Sequence, residues 1–337
     1  MRPPSTAVRV LLSLLVAGGI VALLLSWSGT GLSELWQRLR QLDSRVLWTS
    51  TLVLAGIYLT RGLRFWILLG KGLRPPLSRL LPITGVHGFA AYFAPAKLGE
   101  AVLVLLLSRS GGVSGSHGLA VLIVARLLDL AAVAGSLGAT CLVLAAAGSY
   151  PQLTWLVPLG FTLLGLTVVF GTASLQGQRL ASIALWGLGL LGLRRTRLGT
   201  KVIGLVERVR GALGEVDRAS LGASVAVSLL VWLGVYMYYA VLARGLGLSQ
   251  LDFAEAVFGS SLAVLANLLP INGFAGFGTQ DAGWVAGFTA LGAEPALATE
   301  SALAFHLVYV VHIVLFGLLG QVALALLGPI STDDGKP

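Results

Sequence analysis

Long apolar runs, separated by short polar stretches, constrain this chain more than any other feature. Runs at 10–25, 46–69, 118–147, 155–170, 221–242 and 302–326 approach or exceed the roughly 20 residues that carry a helix across a bilayer. Only 11% of the residues are charged and 56% are hydrophobic, whereas a soluble domain carries about 25% charged residues. Such a chain cannot cover a globular surface with polar groups, so lipid must solvate it and the soluble enzyme classes are excluded. The expected fold is all-α, a polytopic integral membrane helical bundle of about six to eight spans. The first run follows Arg2 and Arg9, as a signal peptide would. It is longer than a signal core and no Ala-x-Ala site follows, so it reads as a retained span. The stretch at 181–193 is too short to cross and reads as interfacial or re-entrant.

Two apolar segments are broken. The first, 81–107, is interrupted by Pro82, Pro95 and glycines; the second, 253–290, by Pro270, Gly273, Gly276 and Gly278. The distribution of Lys and Arg places the N-terminus and the C-terminus in the cytoplasm, because Arg2, Arg9, the Arg61–Arg79 cluster and the basic 171–218 loop then all lie inside. The first broken segment then enters and leaves from the cytoplasmic side, the second from the outer side. That is the pattern of an inverted repeat, with a first repeat at 46–147 and a second at 219–328. The run Pro95-Ala-Lys97-Leu-Gly99-Glu100-Ala101 can be set against Gly276-Phe-Gly278-Thr-Gln280-Asp281-Ala282: each has glycine shortly before an acid and alanine just after it. Paired broken helices point to a transporter's binding site near the bilayer midplane.

Intramembrane charges are costly and are functional candidates by default. The first region holds Lys97, Glu100, Arg126 and Asp129; Arg126 and Asp129, three apart, can pair on one helix face. Lys97 and Glu100, also three apart, either pair locally, or Lys97 meets an anionic headgroup while Glu100 accepts from backbone amides or from Arg126. The second region holds Asn267, Asn272, Thr279, Gln280 and Asp281. Asp281 also suits the cap of a helix beginning beside it. Arg61 and Arg64 lie near a span end, where they either snorkel to the interface or bind a headgroup. Tyr236, Tyr238 and Tyr239 read as an aromatic belt, and His87 as a satisfied buried histidine. His306 and His312 are six apart, about 240° around a helix, and so do not share a face as metal ligands. The single Cys141 excludes an intrachain disulfide and a multi-cysteine metal site. No metalloprotease, nucleophile-elbow or phosphate-loop motif is present. No catalytic residue, cofactor or metal is expected, and the net charge of +9 reports orientation and an anionic lipid surface rather than nucleic acid. Within the 171–218 loop, Val202, Leu205, Val209, Leu213 and Val216 recur at helical spacing among basic residues. That helix either lies on an anionic membrane surface or packs over the bundle.

The ordered set Arg61-Gly-Leu-Arg64-Phe-Trp66, Pro95-Ala-Lys97-Leu-Gly99-Glu100, Arg126-Leu-Leu-Asp129, and Pro270 with Gly273, Gly276, Gly278 and Asp281 resembles the lysylphosphatidylglycerol synthase transmembrane (flippase-like) family over roughly 10–328. The resemblance implies a polytopic inner-membrane protein that moves lipids or lipid-linked sugars between leaflets, passively or with an ion. Its substrate would be a membrane phospholipid or a polyprenyl-linked lipid, with a homo-oligomer or a soluble enzyme partner also compatible. The sequence departs from the family pattern at three positions. Leu103 stands where an arginine is common, Ala125 where an acid is common, and Gln280 where a base precedes the acid. The chain ends about ten residues after its last span, so the soluble aminoacyl-transfer domain is expected to be absent and lysyl transfer is not carried over. A membrane-embedded transferase and a non-transporting partner of a lipid-modifying enzyme are the alternative readings.

Overall fold

A computed structural model describes residues 6–29, 31–70, 72–94, 98–176, 196–214, 217–268 and 274–328, together with 179, 182, 185–187 and 189. Among the described residues the regular structure is entirely helical. In chain order it comprises α1 (Thr6–Ser28), α2 (Leu32–Arg40), α3 (Ser44–Leu68), α4 (Leu77–Phe93), α5 (Gly99–Gly111), α6 (Gly115–Ala147) and α7 (Leu156–Leu175). There follow α8 (Arg197–Gly214), α9 (Arg218–Gly245), α10 (Phe253–Leu268), a 3-10 turn (Phe274–Gly276), α11 (Thr279–Ala290) and α12 (Pro295–Leu327). Four of these, α3, α6, α9 and α12, are long and apolar enough to cross a membrane. Their outer faces carry large apolar side chains such as Trp48 and Leu52, both 70% exposed, and Val311, 65% exposed. Water does not tolerate so continuous an apolar surface, and lipid does. The chain is a multi-pass membrane protein.

Helix ends fall where the local chemistry satisfies the free backbone groups. The Asp43 side chain accepts from the Arg45 amide at the start of α3, and Asp217 accepts from the Ser220 amide at the start of α9. Gly112 and Gly148 end α5 and α6 in the left-handed conformation, with φ of 69° and 66°, which glycine adopts without steric cost.

Between α3 and α6, and again between α9 and α12, the chain folds into a helical hairpin. In the first hairpin, α4 and α5 run antiparallel. A Cβ on Gly99 would lie 1.9 Å from the Ala90 carbonyl oxygen, while at the far end Gly111 comes near Pro75. In the second, α10 and α11 run antiparallel through Gly283 against the Leu262 carbonyl and Gly287 against the Gly259 carbonyl. Lipid is as apolar as leucine, so apolar burial alone does not drive helices together within it; close backbone approach and hydrogen bonds do. The glycines supply that approach. The same device joins α4 to α12, where a Cβ on Gly85 would meet the Phe316 carbonyl at 2.8 Å and one on Gly320 the Pro82 carbonyl at 2.7 Å. Helices α3 and α9 also run antiparallel, Gly234 facing Ile57 and Gly245 facing Val46.

The amphipathic α8 packs on α6. Val209 and Ala212 are buried there against Ala120, with Leu119 beside them. These residues therefore realise the packing alternative, while Leu205 on the same helix stays 40% exposed. Most of 181–193 lies outside the described residues. The expected aromatic belt is not where Tyr236, Tyr238 and Tyr239 sit. All three are buried, to 3%, 1% and 5% exposure: Tyr236 bonds Ser261 of α10, Tyr238 bonds His312 of α12, and Tyr239 packs on Trp284 and Phe305 rather than facing lipid.

Candidate functional site

The break in the first hairpin puts an acid where it can be used. Only a hydrogen fits between Gly99 and the Ala90 carbonyl, so α5 begins hard against the end of α4. Glu100 then lies in the first turn of α5, where the helix dipole favours a carboxylate. From there it receives the Arg126 guanidinium at 2.7 Å on both oxygens and approaches the His87 ring at 3.3 Å. The expected Arg126–Asp129 pair forms at 2.8 Å. It does not stand alone: Asp129 also takes Arg64 of α3 at 2.6 Å and the Trp232 indole N–H of α9 at 3.0 Å. Glu100, Arg126, Asp129 and Arg64 thus form one continuous chain of charges across α5, α6 and α3, and its contacts to His87 and Trp232 extend it to α4 and α9.

This corrects the snorkelling expectation for Arg64. Its side chain is 2% exposed, because a carboxylate on α6 and the Ser228 hydroxyl on α9, 3.3 Å away, hold it inward. The Arg64 Nε is buried without a hydrogen-bond partner. Arg61 behaves differently. One helical turn earlier, it lines the same cavity without an ion-pair partner among the described residues.

The cavity measures about 420 Å³, and its lining includes Arg61, Arg64, His87, Glu100, Arg126 and Asp129. Tyr58, Tyr92, Tyr238, Tyr239 and Tyr309 also line it, with Asn267 and apolar residues such as Ile57, Val133 and Val264. The volume is that of a small-molecule site. Its ionisable wall presents three guanidiniums against two carboxylates, so one positive charge is uncompensated. Five of the chain's seven tyrosines add hydrogen-bonding hydroxyls that carry no charge.

The second break builds a separate cluster at the edge of this cavity. Gly278, with φ of 82°, caps α11, and Asp281 reaches back to accept its amide N–H at 2.8 Å. The expected capping role of Asp281 is therefore real, but only one oxygen performs it. The other lies 2.8 Å from Nδ1 of His306 on α12. The His306 Nε2 lies 2.9 Å from the Ala275 carbonyl and 2.8 Å from the Tyr92 hydroxyl. Gln280 bridges Tyr92 and Tyr239, at 3.3 Å to each. Asp281 and His306 are 1% and 0% exposed, and Phe277 stacks on the His306 ring at 3.8 Å. Ala275 takes a φ of 52°, a left-handed conformation that costs a non-glycine residue about 1–2 kcal/mol.

Of the residues expected from sequence, the structure therefore joins Glu100, Arg126, Asp129 and Arg64 directly and Arg61 through the shared cavity. It sets Gln280 and Asp281 in the neighbouring cluster. Lys97 and Asn272, with Pro95, Pro270 and Gly273, lie outside the described residues. The sequence reading missed His306, Tyr92 and Trp232. A polar side chain within an otherwise apolar span was the available signal for His306.

A family model described as "Lysylphosphatidylglycerol synthase TM region" matches residues 10–317. The chain belongs to the lysylphosphatidylglycerol synthase TM region family. No curated protein and no solved structure gives a match. The three departures from the common pattern of this lysylphosphatidylglycerol synthase TM region are all buried: Leu103 at 0%, Ala125 at 1% and Gln280 at 1% exposure. Leu103 packs in the apolar cluster beneath the first hairpin, with Leu80, Ile83 and Leu107. Where the family commonly sets a base beside the acid of the second hairpin, this member keeps a neutral Gln280 and offers its acid a histidine from α12.

Proposed function

We propose that this chain moves a lipid with an anionic phosphate-bearing head between the leaflets of the cell membrane. The observation that carries the reading is the cavity's charge balance. Glu100, Arg126, Asp129 and Arg64 neutralise one another in pairs 2.6–2.8 Å apart, which leaves Arg61, without an ion-pair partner among the described residues, to meet a monoanionic phosphodiester. The tyrosine hydroxyls would bond the rest of the head, while the acyl or polyprenyl chains stay in lipid. Lys97, Asn272 and Gln280 remain candidate headgroup contacts beside Arg61. Arg126 is so fully engaged that its role is to hold the two carboxylates rather than to meet the substrate first.

The two hairpins are the moving parts in this reading, each a re-entrant pair within an inverted repeat. Three observations support the repeat. The four long apolar helices stand as the first and last elements of the two units. The leading helices, α3 and α9, run antiparallel. In each unit an acid in the first turn of the second hairpin helix pairs with the following span, Glu100 with Arg126 across 26 residues and Asp281 with His306 across 25. With the N-terminus in the cytoplasm, the first hairpin would open inward and the second outward, giving alternating access around one site.

The test is dithionite quenching of nitrobenzoxadiazole-labelled phosphatidylglycerol in proteoliposomes. The reading expects protein-dependent loss of the protected inner-leaflet signal, and loss of that effect in Glu100→Gln. No movement of anionic, zwitterionic or polyprenyl-linked probes would overturn it in favour of a transferase or a partner subunit. A new lipid species on thin-layer chromatography marks the former, and an enzyme that co-purifies only with the 171–218 loop intact marks the latter.

A further inference from the structure

The protons of the His306 ring follow from what its neighbours can accept. The Ala275 carbonyl oxygen, 2.9 Å from Nε2, has no hydrogen to give, so Nε2 must carry one. The Tyr92 hydroxyl shares that Nε2 contact at 2.8 Å and donates its own hydrogen to the Gln280 side-chain oxygen. On the other side of the ring, Nδ1 lies 2.8 Å from Asp281 Oδ1. A bare Nδ1 facing a bare carboxylate at that distance would set two lone pairs against each other. A second hydrogen therefore lies on this line, as an imidazolium beside a carboxylate or as a neutral ring beside a carboxylic acid. Both descriptions give the pair the same proton count and no net charge.

Losing that proton forces a rearrangement. The ring then has one hydrogen for two contacts that each need one. If it stays on Nδ1, the Ala275 carbonyl loses its donor; if it stays on Nε2, the ring and Asp281 repel. In the first case the Tyr92 hydroxyl can turn from Gln280 to donate to Nε2, and the turn at Phe274–Gly276 is released where Ala275 holds its left-handed φ of 52°. Among the described residues the titratable and polar groups near the pair are Tyr92 from α4, Tyr239 from α9 through Gln280, Asn267 from α10 beside Gly276, Asp281 itself from α11, and Tyr309 from α12. Of these only Asp281 is charged. Arg61 and His87 line the cavity beyond Tyr92 and do not bond the ring.

We propose that the Asp281–His306 pair is a proton-binding site, that Tyr92 connects it to the cavity, and that one proton is taken up and released for each lipid moved. The inference rests on the translocator reading for its lipid half only. On release, the Tyr92 hydroxyl turns from Gln280 to cavity water, passes its proton there and takes the Nε2 proton of His306. The tyrosine ends as it began, hydronium leaves through the cavity, and the pair holds a carboxylate beside a neutral ring. Reloading is the reverse. The proton is thus linked to the turn at Phe274–Gly276, through the Ala275 carbonyl to which Nε2 donates.

The experiment uses the full chain in proteoliposomes with nitrobenzoxadiazole-labelled phosphatidylglycerol and trapped pyranine, under a pH difference of one unit. Coupling of one proton per lipid shifts the steady-state leaflet ratio by up to tenfold per pH unit, with the sense reversing when the gradient is reversed. Pyranine registers proton movement when lipid is supplied. In His306→Gln and in Tyr92→Phe, which preserves ring and packing, the ratio becomes insensitive to the gradient. Native flipping with the same ratio under both gradients overturns the inference and leaves the translocator standing. If no lipid moves at all, the translocator reading fails, and the site is read by itself from the nitrogen resonances of the four histidines and the Asp281 carboxyl infrared band. One extra proton on the pair, lost on raising the pH, supports the site. A singly protonated ring beside a permanent carboxylate from pH 5 to 9 overturns it.

Discussion

Breaking the Arg64–Asp129 contact is the sharpest test of how this fold holds its charges. Asp129→Asn removes the carboxylate that Arg64 meets at 2.6 Å. At an effective dielectric constant of about 20 that contact is worth about 6 kcal/mol of gross attraction. Desolvation offsets part of it in the native state, but the variant keeps the desolvation and loses the partner. Arg64, 2% exposed, would be left with Ser228 at 3.3 Å and an Nε that is already unbonded. Stranding one member of a buried pair costs about 3–5 kcal/mol. Arg64→Met alone strands Asp129 less severely, because Arg126 and Trp232 still donate to it. The double variant leaves no orphan at this contact and should recover most of the loss, giving a coupling energy of about 2 kcal/mol or more. That magnitude discriminates, since ordinary hydrogen bonds between membrane helices average only about 0.6 kcal/mol. The assay is reversible unfolding by sodium dodecyl sulfate in mixed micelles, followed as a double-mutant cycle. Asp129→Asn within about 0.5 kcal/mol of the native chain, or a double variant no more stable than Asp129→Asn alone, would refute the reasoning.

Arg61→Gln should leave stability within about 0.5 kcal/mol, as it breaks no pair, while lowering anionic-lipid flipping at least tenfold; equal rates for both proteins would remove Arg61 from the site. Gly99→Val and Gly287→Val add a Cβ 1.9 Å and 2.3 Å from opposing carbonyl oxygens, and each should cost about 3 kcal/mol or fail to accumulate. Gly165→Ala, where nothing lies within 4 Å, should instead be neutral or stabilise α7 by about 0.5–1 kcal/mol. Cys141 is 0% exposed, so an impermeant maleimide should spare the native chain. It should label Arg208→Cys only in inside-out vesicles and Arg40→Cys only from the outer face; the reverse pattern would invert the assigned orientation.

Much of the architecture was legible because lipid imposes blunt rules. The ends of α4 at Phe93 and of α10 at Leu268 fall just before Pro95 and Pro270 in the sequence, and helices usually end near a following proline. Arg126 and Asp129 were readable as partners because three residues apart on a helix is a local geometry. Asp281 was readable as a cap for the same reason. Arg64 was not readable. Its partner lies 65 residues away, and α3 is apolar on nearly all sides, so its sequence carries no mark of which face turns inward. The same uniformity hid His306 in α12 and turned three buried tyrosines of α9 into an apparent interfacial belt. A repeat-based alignment carried further would have set His306 one position from the counterpart of Arg126, which is the signal the sequence did contain.

The glycine contacts between α4 and α12 have a mechanical consequence. Helices that meet through side chains mesh like gear teeth, and a shift along the axis must lift every ridge out of its groove. Where Gly85 and Gly320 bring a backbone against the Phe316 and Pro82 carbonyls, there are few teeth to disengage. The first hairpin rests on the last span chiefly as on a plain bearing, held by closeness, with the Phe89 side chain of α4 seated over Gly317 of α12 as an interlocking contact. In the proposed translocation cycle, small tilts there would trade one set of shallow contacts for another of similar worth and let the hairpin swing without unpacking the molecule around it.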